Sequence, residues 1–258
     1  MAQPEVKSEQ DPLHKLDQAV IASRPARHRR AAAFQTYVLF SAALFVTLAL
    51  VAHTVAYFPI DLTITRAVQR YHGETFAHLM YAISWLGFLP QAFLIGLGVI
   101  MVLAVLGLRW EAVGCAVAQC SVGVGTLVKL IVLRPRPSAD LVHVFAQLSS
   151  SGFPSGHVLE YTGLAGFLAF LCFTLFRASW GRTVVMSMLG VLILLMGLSR
   201  IYQGQHWFSD VMGAYLLGSL WLALTIRLYR WGKPRFFAHQ PLAAAAPAVT
   251  AAHAAPVA

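Results

Sequence analysis

The sequence is poor in charged residues, which make up 11% of its 258 positions. Soluble globular domains carry about 25% charged residues, so this deficit excludes an ordinary soluble domain. Hydrophobic residues account for 58% of the chain, and the mean hydropathy is +0.67. These values predict a polytopic membrane protein, with a length that suits one membrane domain and two short tails.

Cysteine and acidic residues are also scarce, and both absences limit the function. The three cysteines, Cys115, Cys120 and Cys172, fall inside apolar segments and lack the spacing of a disulfide framework or a metal site. We expect them to be small buried hydrophobic residues, and we predict neither a metal nor a cofactor. The ten Asp and Glu residues leave a net charge of +9. Because the basic residues cluster beside apolar runs, as topology signals do, no nucleic-acid partner is expected.

Long apolar runs predict an all-α integral membrane fold with six transmembrane helices in one bundle, since about 20 apolar residues cross a bilayer as a helix. Between spans one and two, residues 61–71 fit either a helix lying in the membrane interface or an ordered loop. The spans are predicted at residues 36–57, from a start between 80 and 91 to about 109, and at 112–133, 158–176, 183–198 and 207–226.

Two tails flank this membrane domain, which we place at residues 36–231. Residues 1–35 are polar and basic and lack a cleavage site, which indicates a largely disordered cytoplasmic tail ahead of an uncleaved signal anchor. Residues 232–258 are rich in Ala and Pro and are expected to form a second disordered cytoplasmic tail.

Basic residues are unevenly distributed over the ends of the predicted spans. Six of the 19 Lys and Arg residues lie at one face, and the others, including those of both tails, lie at the opposite face. The positive-inside rule makes the richer face cytoplasmic, so both termini are predicted inside the cell. The poorer face then lies outside, and four of its basic residues stand in or beside three polar groups: Lys129, Arg134, Arg136 and Arg200.

The first polar group lies at the end of the third span. Lys129 and Arg136 are two helical turns apart, so they share a face if the helix persists to Arg136. Two cations at a membrane boundary suit a phosphate, which Arg binds bidentately and Lys binds as a compact charge. The alternative is that both side chains only snorkel to the interface.

The second polar group, Pro154-Ser155-Gly156-His157, precedes the fourth span. Gly156 allows backbone N–H groups to approach an anion at the positive end of a helix, and Ser155 can donate a hydroxyl. His157 can transfer a proton near neutral pH. Because Pro-Ser-Gly is also ordinary turn composition, a plain turn with a capping serine is the alternative.

The third polar group lies at the start of the sixth span. His206 and Asp210 are four residues apart and are predicted to share a helix face. The carboxylate can then fix the imidazole tautomer and leave the other ring nitrogen free to attack phosphorus. Arg200 precedes that helix and can reach the same phosphate. A structural His–Asp pair at the interface is the alternative.

Together the three groups resemble the motifs of the type 2 phosphatidic acid phosphatase superfamily. The resemblance covers residues 61–230, nearly the whole membrane domain. It implies a six-helix membrane enzyme whose outward-facing site removes phosphate from a lipid without a metal, through a phosphohistidine. The matched order, without a substitution, is Lys129-(six residues)-Arg136-Pro137, then Pro154-Ser155-Gly156-His157, then Ser199-Arg200-(five residues)-His206-(three residues)-Asp210.

The resemblance also implies a role for each matched residue. The catalytic residues are then His206 as the nucleophile, His157 as the general acid and Asp210 as the residue that orients His206. The remaining matched residues bind the substrate phosphate: Lys129, Arg136, Ser155, Gly156 and Arg200.

Three charged residues near the motifs have no role in them. Glu160 lies three residues after His157, so it either faces the site or lines a packed polar contact. Arg134 and Asp140 either pair with each other or contact a lipid headgroup.

The predicted function is that of a bacterial inner-membrane phosphatase that hydrolyses a phosphomonoester or pyrophosphate lipid at the outer face. An isoprenoid pyrophosphate such as undecaprenyl pyrophosphate is the first expected substrate, followed by phosphatidic acid or phosphatidylglycerol phosphate. The same motifs fit a lipid phosphotransferase that passes the phosphoryl group to another acceptor, or a non-catalytic transporter-like protein. The apolar spans argue against a soluble haloperoxidase with the same motifs, and the oligomeric state stays open.

Overall fold

The computed structural model describes residues 12–236, with side chains from His28 onward, and within this range the regular secondary structure is entirely helical. The all-α class predicted from the sequence is therefore confirmed. In chain order the helices are α1 (Pro12–Thr54), α2 (Pro59–Gln69), α3 (Glu74–Trp85), α4 (Gln91–Val105), α5 (Arg109–Gln119), α6 (Ser121–Val132), α7 (Gly156–Leu175), α8 (Trp180–Tyr202) and α9 (Phe208–Phe236).

Five helical segments of the described residues are long and apolar enough to cross a membrane. Their length and composition agree with the predicted multi-pass membrane fold. The segments are His28–Thr54 within α1, Arg109–Val132 across α5 and α6, Gly156–Leu175, Trp180–Tyr202 and Phe208–Phe236.

The apolar region predicted to hold the second span forms two helices. α3 and α4 are separated by a turn that contains Gly87 and Pro90. Proline lacks a backbone N–H donor and restricts the residue before it, so it favours such an interruption. α4 has 15 residues and a length of roughly 22 Å, which is short of the ~30 Å hydrocarbon core of a bilayer. The count of six spans therefore stays a prediction.

Residues 61–71, for which the sequence allows a helix or a loop, lie largely in α2. Pro59 opens the helix, and the Asp61 carboxylate caps its start by accepting a hydrogen bond from the Phe58 N–H at 2.9 Å. Asp61 and Thr65, one helical turn apart, are fully buried against the bundle. α2 therefore docks through a polar face, and its position in the membrane interface remains a prediction.

α7 is the central helix of the bundle and contacts α5, α6, α8 and α9. Most of its residues are apolar and occupy several sides of the helix, as expected for a helix with neighbours on several sides. Val158 and Leu159 belong to a core cluster with residues of α3, α8 and α9, and farther along the helix Phe167 packs with Cys115 and Tyr229. This packing fixes the start of α7, which carries the second polar group.

Three expectations from the sequence differ from the structure. α1 already begins at Pro12, so residues 12–35 are helical rather than largely disordered, in keeping with their content of Leu, Ala, Gln and Arg, which favour helix. α9 continues to Phe236, past the predicted end of the membrane domain. Cys120 is exposed at the junction of α5 and α6, whereas Cys115 is buried. The rest of the predicted tails, residues 1–11 and 237–258, lies outside the described residues.

Candidate active site

The three polar groups meet at one end of the bundle, where α6 and α8 end and α7 and α9 begin. Of the eight predicted site residues, six line a cavity at this end of the bundle, and the other two, Ser155 and Asp210, are fully buried. The structure thus brings all eight together in one place. The cavity has a volume of about 520 Å³, and the six site residues that line it are Lys129, Arg136, Gly156, His157, Arg200 and His206.

α6 ends before Arg136, contrary to the expectation that one helix presents Lys129 and Arg136 on a shared face. The helix stops at Val132, and Leu133 adopts a left-handed conformation with φ of 50°, which is uncommon for a residue other than glycine. The chain then continues without helix through two Arg-Pro pairs, since a residue before proline avoids the helical region. The two cations converge through this loop instead.

Both cations are anchored on the segment that precedes the second polar group. Nζ of Lys129 donates to the carbonyl oxygen of Ser151 at 2.7 Å. The Arg136 guanidinium donates to the carbonyl oxygen of Ser150 at 2.7 Å and to its Oγ at 2.9 Å, and its third nitrogen lies 3.1 Å from Nε2 of His206. Burial lowers the pKa of Arg136 from its ordinary value, and the Asp210 carboxylate opposes that shift.

His206 lies in the turn ahead of α9 and is 2% exposed. Its Nδ1 stands 2.7 Å from the carbonyl oxygen of Gly152. A carbonyl only accepts hydrogen bonds, so this partner assigns the proton to Nδ1 and leaves a lone pair on Nε2. Burial lowers the pKa of His206 well below its usual range, and the cations Arg136, Lys129 and Arg200 lower it further. The ring is therefore neutral at pH 7, with an unprotonated Nε2 beside the cations.

Asp210 does not hold the imidazole in the way that the sequence spacing predicts. His206 precedes α9, so the two residues share no helix face, and Oδ2 of Asp210 lies 3.6 Å from Nδ1, beyond hydrogen-bond range. Oδ2 accepts from the Trp207 N–H at 2.9 Å, and Oδ1 accepts from Arg134 at 2.6 Å. Gly152 therefore orients the ring, and Asp210 supplies a negative charge next to it.

A buried ionic network behind His206 was not foreseen from the sequence. The Arg134 guanidinium donates to Asp61 at 2.9 Å, to Asp210 at 2.6 Å and to Oγ of Ser209 at 2.7 Å. Asp61 also accepts from the Ser209 N–H at 2.7 Å. Arg134 thus pairs with two carboxylates rather than with Asp140 or a headgroup. The isolated Asp61 ahead of an apolar stretch was the available signal, because a carboxylate beside a membrane span needs a partner.

The second polar group forms the start of α7. Ser155 takes the N-cap position with φ of −66° and ψ of 114°, and its Oγ is buried without a hydrogen-bond partner among the described residues. Nε2 of His157 is likewise buried and unpartnered in that part of the chain. A Cβ added at Gly156 would meet no atom within 4 Å, so the backbone there is open to the cavity. A helix start of this kind binds anions through its free N–H groups.

Arg200 is fully buried and only partly satisfied. One terminal nitrogen donates to Oγ of Ser84 and, at 3.3 Å, to Oε1 of Gln203. Nε and the second terminal nitrogen have no hydrogen-bond partner within the range described. A guanidinium has five N–H donors and stays charged, so this side chain retains donors for an anion.

The turn between α3 and α4 also shapes the site, and no motif covers it. The Phe88 ring meets the His157 ring edge-on at 4.8 Å, and the Arg200 guanidinium lies over the same ring at 5.2 Å. A Cβ on Gly87 would overlap the His157 ring, so only glycine allows this close approach. The hydroxyl of Tyr161 donates to the Leu86 carbonyl oxygen at 3.0 Å and ties the turn to α7.

The polar groups of the cavity have the charge and the free donors that suit a phosphate. Buried polar groups in proteins are nearly always hydrogen-bonded, yet Ser155, His157 and Arg200 each keep an unpartnered polar atom in the described chain. Lys129 and Arg136 add positive charge around Nε2 of His206. A tetrahedral dianion offers the charge and the acceptor oxygens that these groups lack.

Comparison with known proteins agrees with this geometry. A family model described as the PAP2 superfamily matches residues 93–234, which is more than half of the chain. The chain belongs to the PAP2 superfamily. This membership confirms the resemblance drawn from the three motifs.

Two relatives are similar to parts of this PAP2 chain. Phosphatidylglycerophosphatase B of Bacillus subtilis (strain 168) is 39% identical over 89 residues, which cover 34% of the chain and 42% of the relative. Sphingosine-1-phosphate phosphatase 2 of Homo sapiens is 31% identical over 104 residues, which cover 40% of the chain and 26% of the relative. The matches thus span less than half of the length of either relative.

Two solved structures share the fold. The crystal structure of a transmembrane PAP2 type phosphatidylglycerolphosphate phosphatase from Bacillus subtilis has a TM-score of 0.65 and 27% identity, covering 78% of this chain and 99% of that one. The crystal structure of Aquifex aeolicus LpxE has a TM-score of 0.54 and 18% identity, covering 66% and 96% of the two chains. At that identity the second likeness concerns the fold alone. Both agree with a helical membrane protein.

Proposed function

We propose that this chain hydrolyses the phosphate monoester of a lipid, with Nε2 of His206 as the nucleophile. One observation carries the proposal, which is a neutral imidazole buried among cations and unpartnered hydrogen-bond donors. Leaving such groups unpaired is costly, so the arrangement favours an anionic ligand beside Nε2. PAP2 membership and the phosphatase names of the relatives support the same reaction.

The phosphate group is held by side chains from all three polar groups. Lys129, Arg136 and Arg200 balance the charge on its three non-bridging oxygens, where charge collects in the transition state. The Ser155 hydroxyl and the N–H of Gly156 at the start of α7 add neutral donors. These groups are already in place around the cavity, so little reorganisation accompanies the reaction.

In the first step Nε2 of His206 forms a bond to phosphorus while the bond from phosphorus to the lipid oxygen breaks on the opposite side. Protonated His157 transfers its proton to that oxygen, so the lipid leaves as a neutral alcohol. The proton stays on Nδ1 of His206, which donates a hydrogen bond to the Gly152 carbonyl oxygen. The positive charge that develops on the ring is stabilised by Asp210, 3.6 Å away.

In the second step a water molecule attacks phosphorus and His157, now neutral, accepts the water proton. The bond between phosphorus and Nε2 breaks, inorganic phosphate is released, and His206 returns to its neutral form. His157 is protonated again and ready for the next lipid. The cycle consumes one water and uses neither a metal nor a redox cofactor.

A lipid phosphomonoester is favoured over the isoprenoid pyrophosphate that heads the ranking from the sequence. The names of both relatives refer to lipid phosphomonoesters. Beyond the cations the cavity is lined by Leu89, Val122 and the backbone at Gly125, and this apolar wall suits the hydrocarbon part of a lipid. Electrostatic attraction of the headgroup to the cations draws it to His206.

The protein is proposed to lie in a bacterial inner membrane with the site on the outer face and both termini in the cytoplasm. The helix ends opposite the site carry basic residues, including Arg109 at the start of α5, Arg182 near the start of α8 and Lys233 near the end of α9. The positive-inside rule places that end of the bundle in the cytoplasm.

The proposal is tested by phosphate release from lipid phosphates and pyrophosphates, with purified protein in detergent, a chelator present and no added acceptor. We expect release from phosphomonoesters, and a fall in kcat of about 10⁴-fold or more for His206→Ala. The control is His72→Ala, which changes an exposed histidine in the connection between α2 and α3. It should keep wild-type activity.

Rapid quenching with radiolabelled phospholipid should trap a label on the protein that is stable in alkali and lost in acid, as expected for a phosphohistidine. Loss of activity with the chelator contradicts the metal-free cycle. Label transfer to a second lipid without phosphate release indicates a phosphotransferase. Full activity of His206→Ala ends the proposal.

A further inference from the structure

Glu160 is a buried carboxylate that the proposed reaction does not use. It lies in α7 and is 6% exposed, and it lines the same cavity as His157 and His206. Acidic residues within membrane spans are rare and mark functional sites, because their burial is costly. An acidic side chain in a cavity that suits phosphate therefore needs an explanation.

Among the described residues, one neighbour donates a hydrogen bond to the Glu160 side chain. Nε2 of Gln119, from α5, donates to its Oε1 at 2.5 Å. A Cβ added at Gly96 of α4 would stand 2.8 Å from the Gln119 side chain, so packing confines that amide. The carboxylate is thus positioned by α4 and α5 while its residue faces the cavity.

The depth of Glu160 along α7 places it away from the phosphate group. It follows Gly156 by four residues, or about 6 Å along the helix axis, so it lies one turn deeper in the span than the anion-binding start of α7. His157 lies between Gly156 and Glu160 along the helix and, three residues before Glu160, shares a helix face with it. Val122 and Thr126 of α6 also line the cavity. A phosphate bound at the start of α7 would occupy the outer level, and its leaving alcohol would reach the level of Glu160.

We infer that Glu160 forms a subsite for the leaving alcohol, and that it selects lipid phosphates with a hydroxyl or ammonium group on the carbon next to the phosphoester carbon. A carboxylate accepts hydrogen bonds from such donors and repels an anion. This inference rests on the proposed phosphatase function and specifies its substrate class.

The subsite separates the candidate lipids by chemistry. A glycerol or sphingoid leaving group with a free neighbouring hydroxyl or ammonium donates to Glu160. A diacylglycerol leaving group carries an ester at that carbon and donates nothing. The leaving group of an isoprenoid pyrophosphate is a polyprenyl phosphate, whose negative charge is repelled by the carboxylate.

The test uses two lipids that differ by one group. One is a monooleoyl glycerol phosphate with a free hydroxyl next to the phosphoester carbon, and the other carries hydrogen in place of that hydroxyl. We expect kcat/KM of the wild type to favour the hydroxyl lipid about tenfold, as a hydrogen bond to a charged group allows. The ratio should fall to about one in Glu160→Leu and to an intermediate value in Glu160→Gln.

The matched control is Glu111→Gln, which makes the same change at the buried glutamate at the other end of the bundle. It should keep the wild-type ratio, whatever its effect on yield. A wild type that hydrolyses both lipids equally overturns the subsite and leaves the phosphatase intact, even if no Glu160 variant folds. A preference that survives Glu160→Leu, or that Glu111→Gln also abolishes, overturns it too. Release from neither lipid, nor from any other lipid phosphate, overturns the phosphatase and the subsite together.

Discussion

The two ends of the helix bundle both bury charged side chains, but those at one end are paired with opposite charges and some at the other end are not. At the end opposite the cavity, Glu111 accepts hydrogen bonds from the Tyr229 hydroxyl at 2.8 Å and from Nζ of Lys233 at 2.6 Å. At the cavity end, Arg200 keeps two nitrogens without a partner among the described residues. A paired carboxylate joins α5 to α9, whereas unpaired donors add nothing to the fold and are suited to a ligand.

The cavity end also contains a paired network of its own, behind the unpaired layer. Arg134 bridges Asp61 of α2 and Asp210 of α9 at 2.9 and 2.6 Å, and both carboxylates are fully buried. This network resembles the opposite end in being satisfied, yet it stands directly behind His206. We therefore propose that the paired charges position the site and that the unpaired charges bind the phosphate.

The largest effect on stability is expected from Arg134→Met. The change leaves Asp61 and Asp210 buried without a cation, which should lower the free energy of unfolding by about 3–5 kcal/mol. Thermal and denaturant unfolding in detergent measure the loss. Adding Asp61→Asn to this variant should recover part of it, because one of the two unpaired charges is removed. A wild-type thermal midpoint in Arg134→Met contradicts a role of the network in the fold.

Arg200→Met should show the opposite pattern. It removes a buried cation whose donors are partly unpartnered, so the thermal midpoint should stay near that of the wild type. The value of kcat/KM for phosphate release should fall about 10²- to 10³-fold, as for loss of one donor to the transition state. If Arg200→Met loses as much stability as Arg134→Met and keeps its activity, then the distinction between the paired network around Arg134 and the unpaired donors of Arg200 is wrong.

The smallest effect is the dependence of stability on pH. The pKa of His206 is lowered in the folded protein, so unfolding releases a ring that binds a proton more readily, with an ordinary pKa of about 6.5. The stability that the neutral His206 ring contributes to the folded state is therefore fully present above about pH 6.5. It is lost as the pH falls toward the folded pKa, at up to about 1.4 kcal/mol per pH unit.

Thermal midpoints at pH 5.5 and 7.5, in buffer without phosphate, measure this term. The wild type should lose about 1 kcal/mol more than His206→Asn between these values, because asparagine does not titrate. Equal losses in the two proteins show that folding does not lower the pKa of the imidazole, which contradicts its placement as a buried ring among cations.

The sequence predicts the residues of the site better than the way they are supported. The convergence of Lys129, His157, Arg200 and His206 is predicted from three motifs. Each motif is a short stretch of sequence that can be recognised without knowing the fold. The helix between Lys129 and Arg136 could not be judged from spacing, because Leu133 leaves the helical region before the prolines. Local pattern does not reveal where a helix ends when a single residue turns the chain.

The contacts that the sequence does not reveal join residues far apart in the chain. Asp61 and Arg134 are 73 residues apart, and Gln119 and Glu160 are 41 residues apart. Each residue alone fits several partners, since a buried charge requires a counterpart but does not specify which one. The Phe88 contacts with His157 and Arg200 were missed for the same reason, because a phenylalanine in an apolar run gives no sign of its neighbours.

The acceptor that sets the tautomer of His206 belongs to the main chain of Gly152. No side-chain substitution deletes a carbonyl oxygen, so the proton on Nδ1 is secured against mutation in a way that a carboxylate partner cannot match. A Cβ at this position would stand 3.1 Å from Oδ2 of Asp210, so changes here act by crowding Asp210 rather than by removing the acceptor. In the proposed reaction, loss of the Asp210 charge should therefore lower the activity without changing the tautomer of His206, so that variants at Asp210 keep residual turnover.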